Sequence, residues 1–312
     1  MPKSESFTVK TLDRSEIHVH SCIPEKPVAV LIVVHGMTEH GGRYNRFAGY
    51  MAERNIAVFA PDHRGHGKSL GKNDKRGYFG ENASREVLVN DLFCLRRHAD
   101  MHFPGLPVFM LGQSMGSIFT RAFISKYGDH VKGAVLAATF QNPKLLIRAG
   151  VFLSQIIIKL RSGSYFSNFV HKLSTGRFNA PFKPARTPFD WISSDDKVVD
   201  EYIADPFAGH EFTVGSWNVL YKLYLAVRKS EKNREVPSHI PVLLISGGED
   251  PVGKMGKHPQ KVFSSYKRIG VQDVELNLYP GRRHDIINET NRDEVYNHIV
   301  EWMKDHIIKQ EP

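Results

Sequence analysis

Two cysteines are too few to frame a disulfide-stapled fold. Cys22 and Cys94 fall one on a predicted strand and one on a predicted helix, with neither metal spacing nor a redox pair, so both are expected to be buried thiols. An apolar stretch of signal-peptide length is also missing from the start. Met1 to Phe7 is charged and polar, nothing there marks the chain for export, and a cytoplasmic location is expected. No apolar run reaches the roughly 20 residues of a membrane span. The nearest, Leu145 to Leu160, is shorter and is interrupted by Arg148, which predicts a buried or surface-lying helix. The chain has no internal repeat or low-complexity tract either, which excludes a solenoid.

Acid is absent from one place in particular. From His130 to Phe189 there is no Asp or Glu, while Lys132, Lys144, Arg148, Lys159, Arg161, Lys172, Arg177, Lys183 and Arg186 supply nine cations. With those set aside, the remaining basic residues match the 33 acids, so the formal net charge of +9 belongs to this middle segment. An electrostatic partner should therefore meet it there, as an anionic membrane surface or a phosphate-bearing headgroup would. Its cations are diluted by apolar runs and match no nucleic-acid module, so no nucleic-acid partner is expected.

What is present is enough apolar sequence, 41% of 312 residues, to bury a full core. The length exceeds that of one compact unit, which predicts a single domain carrying an insertion. Strands are predicted at Phe7 to Leu12 and Glu16 to Cys22, around a hairpin at Asp13-Arg14-Ser15. Further strands are the unbroken apolar runs Val28 to Val34, Ile56 to Ala60, Val108 to Leu111, Ala134 to Ala137, Val242 to Ile245 and Val274 to Tyr279. Helical stretches lie between them, at Tyr44 to Arg54, Ser84 to Phe103, Met115 to Tyr127, Pro259 to Ile269 and Arg292 to Ile308. This alternation implies a mostly parallel, doubly wound sheet of eight strands with helices on both faces and ligands beyond the carboxyl ends of the strands. It breaks between about Phe140 and Glu235. The chain is thus expected to divide into a core, first part (1–139), an inserted helical cap (140–235) and a core, second part (236–312).

The sharpest chemical signal is Gly112-Gln113-Ser114-Met115-Gly116. It matches G-x-S-x-G and stands after an apolar strand and before a helix, the context that gives the pattern meaning. A serine on so tight a turn needs small neighbours, which Gly112 and Gly116 provide. Its hydroxyl is a poor nucleophile until a base takes the proton, so a histidine oriented by a carboxylate must come from elsewhere. In a doubly wound sheet of this kind such groups follow in the order Ser, Asp or Glu, His, each at a strand exit. The exit after Ile245 reads Ser246-Gly247-Gly248-Glu249-Asp250-Pro251, and that after Tyr279 reads Pro280-Gly281-Arg282-Arg283-His284-Asp285. Asp250 and His284 are therefore the expected partners of Ser114, and Glu249 and Asp285 their solvated or hydrogen-bonding neighbours. The oxyanion of such a reaction needs donors already in place. The backbone N–H groups of Met115 and of Met37, in His35-Gly36-Met37, are the candidates.

Other features carry less. Gly67-Lys68-Ser69 resembles the tail of a phosphate loop, but Asp62 stands where that pattern requires glycine. His63 and His66 have the spacing of metal ligands without an obvious third or fourth, so a hydrogen-bonded turn is expected. Trp191, Trp217 and Trp302 are expected to pack rather than to form a carbohydrate platform.

Together these segments resemble the monoacylglycerol lipase and lysophospholipase group of α/β-hydrolases, related to serine aminopeptidases of the S33 kind. His35-Gly36-Met37-Thr38-Glu39-His40 is similar to that group's H-G-x-x-E-H segment, and Asp62 to Ser69 resembles its D-x-R-G-H-G-x-S segment. Gly112 to Gly116, Glu249 to Val252 and Gly281 to His284 complete a set that runs through nearly the whole chain. Thr38 departs from the glycine usual in its loop, and Gln113 from the usual histidine, at a position pointing away from substrate. The resemblance implies an α/β-hydrolase fold and a serine hydrolase of acyl-lipid esters. It also implies Ser114 as nucleophile, Asp250 and His284 as its partners, Met37 and Met115 as oxyanion donors, and neither cofactor nor metal. Two alternatives stand beside it, an aminopeptidase-like peptidase and a non-catalytic member of the fold that binds an apolar ligand.

Overall fold

The computed structural model describes residues 2–71 and 75–308. The chain opens with β1 (Lys3–Lys10) and β2 (Glu16–Ile23), followed by β3 (Ala29–Val34), α1 (Asn45–Ala52), β4 (Ile56–Pro61) and α2 (Arg85–His102). Next come β5 (Val108–Gln113), α3 (Met115–Tyr127) and β6 (Gly133–Ala137). Four helices then run without a strand between them: α4 (Lys144–Leu160), α5 (Asn168–Thr175), α6 (Asp196–Ala204) and α7 (Val214–Lys232). The alternation resumes with β7 (Val242–Gly247), α8 (Lys257–Ile269), β8 (Val274–Tyr279) and α9 (Arg292–Ile308).

The eight strands form one sheet in the order β1-β2-β4-β3-β5-β6-β7-β8. β1 and β2 pair antiparallel, as do β2 and β4, and every later pairing is parallel. Strands β3 to β7 are buried along their whole length because helices cover both faces. Alternate side chains of one strand accordingly enter different cores: Val30, Ile32 and Val34 join α2, α3 and α7, whereas Leu31 and Val33 join α1 and α9. Each such fully buried aliphatic side chain contributes roughly 1.5–3 kcal/mol, which explains why the central strands read as unbroken apolar runs rather than as alternations.

Two expectations need correction. The first strand starts four residues and ends two residues earlier than predicted, at Lys3 and Lys10. Thr11 N–H bonds Ser15 C=O to close the hairpin, and Leu12 is left exposed. Within 140–235 the sequence pointed only to the first helix, and the chain forms four. That first helix lies on the surface, as one of the two expected options, with only Ile147 and Ser154 buried along its length. It is seated on α7, where Asn218 Nδ2 donates to Ser154 Oγ at 2.8 Å. Among the described residues no helix is long and apolar enough to cross a membrane.

Candidate active site

Parallel strands bring their carboxyl ends to one edge of the sheet, and the loops leaving β3, β5, β7 and β8 all meet there. The turn between β5 and α3 is the tightest of them. Ser114 has φ 54° and ψ −114°, a left-handed conformation that L residues avoid and that holds its side chain out from the sheet. Gly116 makes that turn possible: a Cβ at this position would collide with the backbone oxygen of Val34.

The loop after β8 brings His284 against Ser114, with Nε2 2.8 Å from Oγ. On the other side of the ring, Nδ1 is 3.0 Å from Asp250 Oδ1, at the exit of β7. Asp250 is wholly buried, and the same Oδ1 accepts Val252 N–H at 2.9 Å. Burial by itself would depress the His284 pKa. The charge of Asp250 and its hydrogen bond, with Asp285 and Glu39 further off, outweigh burial and raise it. The three residues singled out in the sequence are thus brought into one line of hydrogen bonds, although Ser114 and His284 are 170 positions apart.

Met37 and Met115 flank this line and border the same cavity. Met115 is the first residue of α3, where an N–H has no partner within the helix. The Met37 N–H makes no hydrogen bond among the described residues. Thr38, which stands where glycine is usual, adopts the glycine conformation anyway with φ 57°. Its hydroxyl lies 3.0 Å from the Tyr202 hydroxyl, which is also 3.2 Å from the Thr38 carbonyl oxygen, and that clasp with α6 offsets the strain.

Gln113 is buried beneath the serine, and its Nε2 donates to the His284 carbonyl oxygen at 2.8 Å. It thereby fixes the backbone that carries the imidazole. Asp285 is neither a rival to Asp250 nor solvated: it is buried, accepts Arg43 Nη2 at 3.0 Å and bonds Asn288. Arg43 also reaches Glu39 at 3.1 Å, and Glu39 accepts from Tyr44 OH at 2.8 Å and from Gly36 N–H. This buried network props the loop that holds Met37. Sequence reasoning gave Glu39 and Arg43 no role, although Glu39 lay inside a quoted motif and Arg43 follows it by four residues.

The cavity beside Ser114 has a volume of about 880 Å³. Its walls come from the strand exits and from the helices between β6 and β7, including Leu146, Ile147 and Leu153 of α4, Leu173 of α5 and Leu220 of α7. Trp191 borders it with its ring 5.1 Å from that of His284, and Trp217 lines it too, whereas Trp302 packs in the core against Phe109. The segment between α5 and α6 is pinned to the His284 loop. Arg283 donates to the carbonyls of Asp190 and Ser193, and Asp285 N–H to that of Ile192.

His63 and His66 are held within their turn, away from this line. His66 Nδ1 bonds the Arg64 carbonyl, and His63 N–H donates to His35 Nε2. Burial pushes the His63 pKa down to about 3, so its ring is neutral. Cys22 is buried and Cys94 half-buried, and neither is disulfide-bonded.

Residues 25–291 match the serine aminopeptidase S33 family. The chain belongs to that family. The monoacylglycerol lipase of Mycolicibacterium smegmatis is 27% identical over 282 residues, covering 90% of each chain. Human monoglyceride lipase is 26% identical over 285 residues, covering 89% of this chain and 82% of its own. Among solved structures, a thermostable carboxyl esterase from Bacillus coagulans superposes with a TM-score of 0.90 at 26% identity, over 98% of this chain and 99% of its own. A monoglyceride lipase from Saccharomyces cerevisiae shares the fold, with a TM-score of 0.73 at 18% identity over 98% and 95% of the two chains. The S33 chain described here is therefore an α/β-hydrolase, with the mostly parallel eight-stranded sheet of that fold.

Proposed function

We propose that this chain is a carboxylic-ester hydrolase acting on acyl lipids of the monoacylglycerol or lysophospholipid kind, by way of an acyl-enzyme on Ser114. The observation that carries the reading is the hydroxyl of Ser114, 2.8 Å from an imidazole nitrogen, at the wall of a large cavity bordered by aliphatic side chains. Its volume of about 880 Å³ falls in the range of roughly 300–1,000 Å³ usual for small-molecule sites and leaves room for an acyl chain. The ester relatives of similar length support the same chemistry.

In the proposed sequence, His284 Nε2 accepts the hydroxyl proton as Ser114 Oγ bonds to the ester carbonyl carbon. Asp250 holds Nδ1 as the donor and stabilises the imidazolium. The carbonyl oxygen, now negative, takes hydrogen bonds from the Met37 and Met115 N–H groups. His284 then returns the proton to the leaving alcohol as the C–O bond breaks. A water deprotonated by the same nitrogen attacks the acyl group, and the acid departs with Ser114 restored. Residues 140–235 serve as a cap over this site, and no metal or organic cofactor takes part.

The cap also presents an apolar face outward. Leu145, Phe152 and Leu160 of α4 are 78%, 67% and 75% exposed, and Phe169 and Leu173 of α5 are exposed beside them. Arg148, Lys159, Arg161 and Lys172 share these exposed stretches. Apolar residues interleaved with cations suit the surface of an anionic bilayer, which is where an acyl ester is dissolved.

A fluorophosphonate probe should label the wild type and fail on Ser114→Ala; equal labelling of both disposes of the nucleophile. A panel of p-nitrophenyl esters, glycerides, lysophospholipids and aminoacyl anilides then ranks substrates. Turnover of the anilides above all the esters would favour a peptidase and overturn the lipid reading.

A further inference from the structure

Two histidines two positions apart on β2 project from the same face of that strand, because side chains in a strand alternate. His18 and His20 are both half-buried, their ring centroids 4.7 Å apart, and the end of β4 beside them carries Asp62. One ligand atom from each of the three lies within 4.8 Å of the others. None of the three lines the cavity beside Ser114.

Two features are poorly explained by hydrogen bonding alone. His20 Nε2 lies 3.3 Å from Asp62 Oδ1 and 3.4 Å from Oδ2, longer than a well-formed N–H···O bond to either. His18 Nε2 is buried and has no hydrogen-bond partner among the described residues. Both make sense for ligand atoms around an ion. Metal bonds of about 2.0–2.1 Å in tetrahedral geometry put neighbouring ligand atoms about 3.3 Å apart. The carboxylate is already oriented from behind, Oδ1 accepting Gly41 N–H at 2.7 Å and Oδ2 accepting Lys68 N–H at 2.8 Å. Supporting bonds of this kind are what fix ligating carboxylates, and lone pairs remain on each oxygen.

The geometry points to a binding site for a late first-row divalent cation of the zinc class, formed by His18, His20 and Asp62. Two imidazoles and one carboxylate are the donor set such ions prefer, and the partial exposure of the two rings leaves the remaining position to water. The ion would tie β2 to the end of β4. Through Asp62 it would also reach Gly41, in the loop that carries Met37. Its role is to brace that corner of the fold, away from the reacting atoms.

The test uses the full chain stripped of metal with a chelator and titrated with zinc chloride against a chromophoric zinc indicator. One equivalent should compete with the indicator and raise the thermal midpoint. His18→Asn and His20→Asn should each weaken zinc binding at least about tenfold and abolish the thermal rise, with ester hydrolysis intact as evidence of folding. The rival histidine pair is His98 and His102 on α2, whose rings stack 4.0 Å apart without a carboxylate. The double variant His98→Asn/His102→Asn should bind zinc as the wild type does. X-ray absorption of the zinc-loaded wild type, which needs no variant to fold, should show two imidazoles among light-atom ligands. Absence of a bound equivalent overturns the proposal. So does binding that survives loss of both His18 and His20, or that disappears with His98 and His102 or in His284→Asn.

Discussion

His284 is enclosed, and enclosure works against a charged imidazole. It nevertheless holds a proton more firmly than an ordinary histidine, because Asp250 bonds the far side of the ring. As the proposed base it must be neutral to accept the Ser114 proton, so the active fraction disappears as pH falls through the folded-state pKa. The pH profile of kcat/KM should therefore show its acidic inflection above 6.5, the ordinary value. Asp250→Asn removes the strongest of the raising influences. It should lower kcat by roughly 10³- to 10⁴-fold and move the inflection of the residual activity to lower pH. An unmoved inflection would mean that another group controls the profile. These three residues were legible in the sequence because each stands at a strand exit whose strand is an apolar run, so their convergence follows from the sheet. The Glu39–Arg43–Asp285 network was not legible. Arg43 and Asp285 are 242 positions apart, and nothing in either local sequence distinguishes an inward ion pair from a solvated one.

Between elements, a fully buried charge pair joins α3 to α7. Arg121, wholly buried, donates Nε and Nη2 to the two oxygens of Glu231 at 2.8 and 3.0 Å, and Nη1 to the Phe140 carbonyl at 3.0 Å. The helix that begins behind Ser114 is thereby locked to the last of the four helices between β6 and β7. Glu231→Gln leaves the guanidinium buried without its counter-charge and should cost about 3–5 kcal/mol, read as a fall in the urea midpoint. The double variant Arg121→Met/Glu231→Leu should lose less than Glu231→Gln alone, since no charge is stranded. Legibility at this scale follows covering. The eight strands and five core helices were visible because their burial is set by one sheet. α5 and α6, of 8 and 9 residues, carry too short a pattern to stand out. α7 did contain the helical period in Val214, Trp217, Leu220, Leu223, Tyr224 and Val227, all buried, but the Gly, Pro and Ser that punctuate the region obscured it.

For the molecule as a whole, the uneven distribution of charge matters more than its sum. The acid-free stretch between His130 and Phe189 includes α4 and α5, so the cations and the outward apolar residues occupy the same part of the surface. Binding to vesicles should accordingly rise with the fraction of anionic lipid and weaken with salt, where a purely apolar attachment would ignore both. Phe152→Ser/Leu160→Ser should reduce co-sedimentation with phosphatidylserine vesicles several-fold while hydrolysis of a short water-soluble ester is unchanged. Retention that is indifferent to lipid charge and to both substitutions would rule out docking by the cap.

The distance along the chain between Ser114 and His284 has a consequence for the order of events during synthesis. The serine turn emerges first and can fold against β3, β5 and β6, yet the imidazole that would activate it is translated 170 residues later. A nascent chain therefore carries the serine without its imidazole partner over those 170 residues, and the line of hydrogen bonds closes only when β8 takes its place at the edge of the sheet.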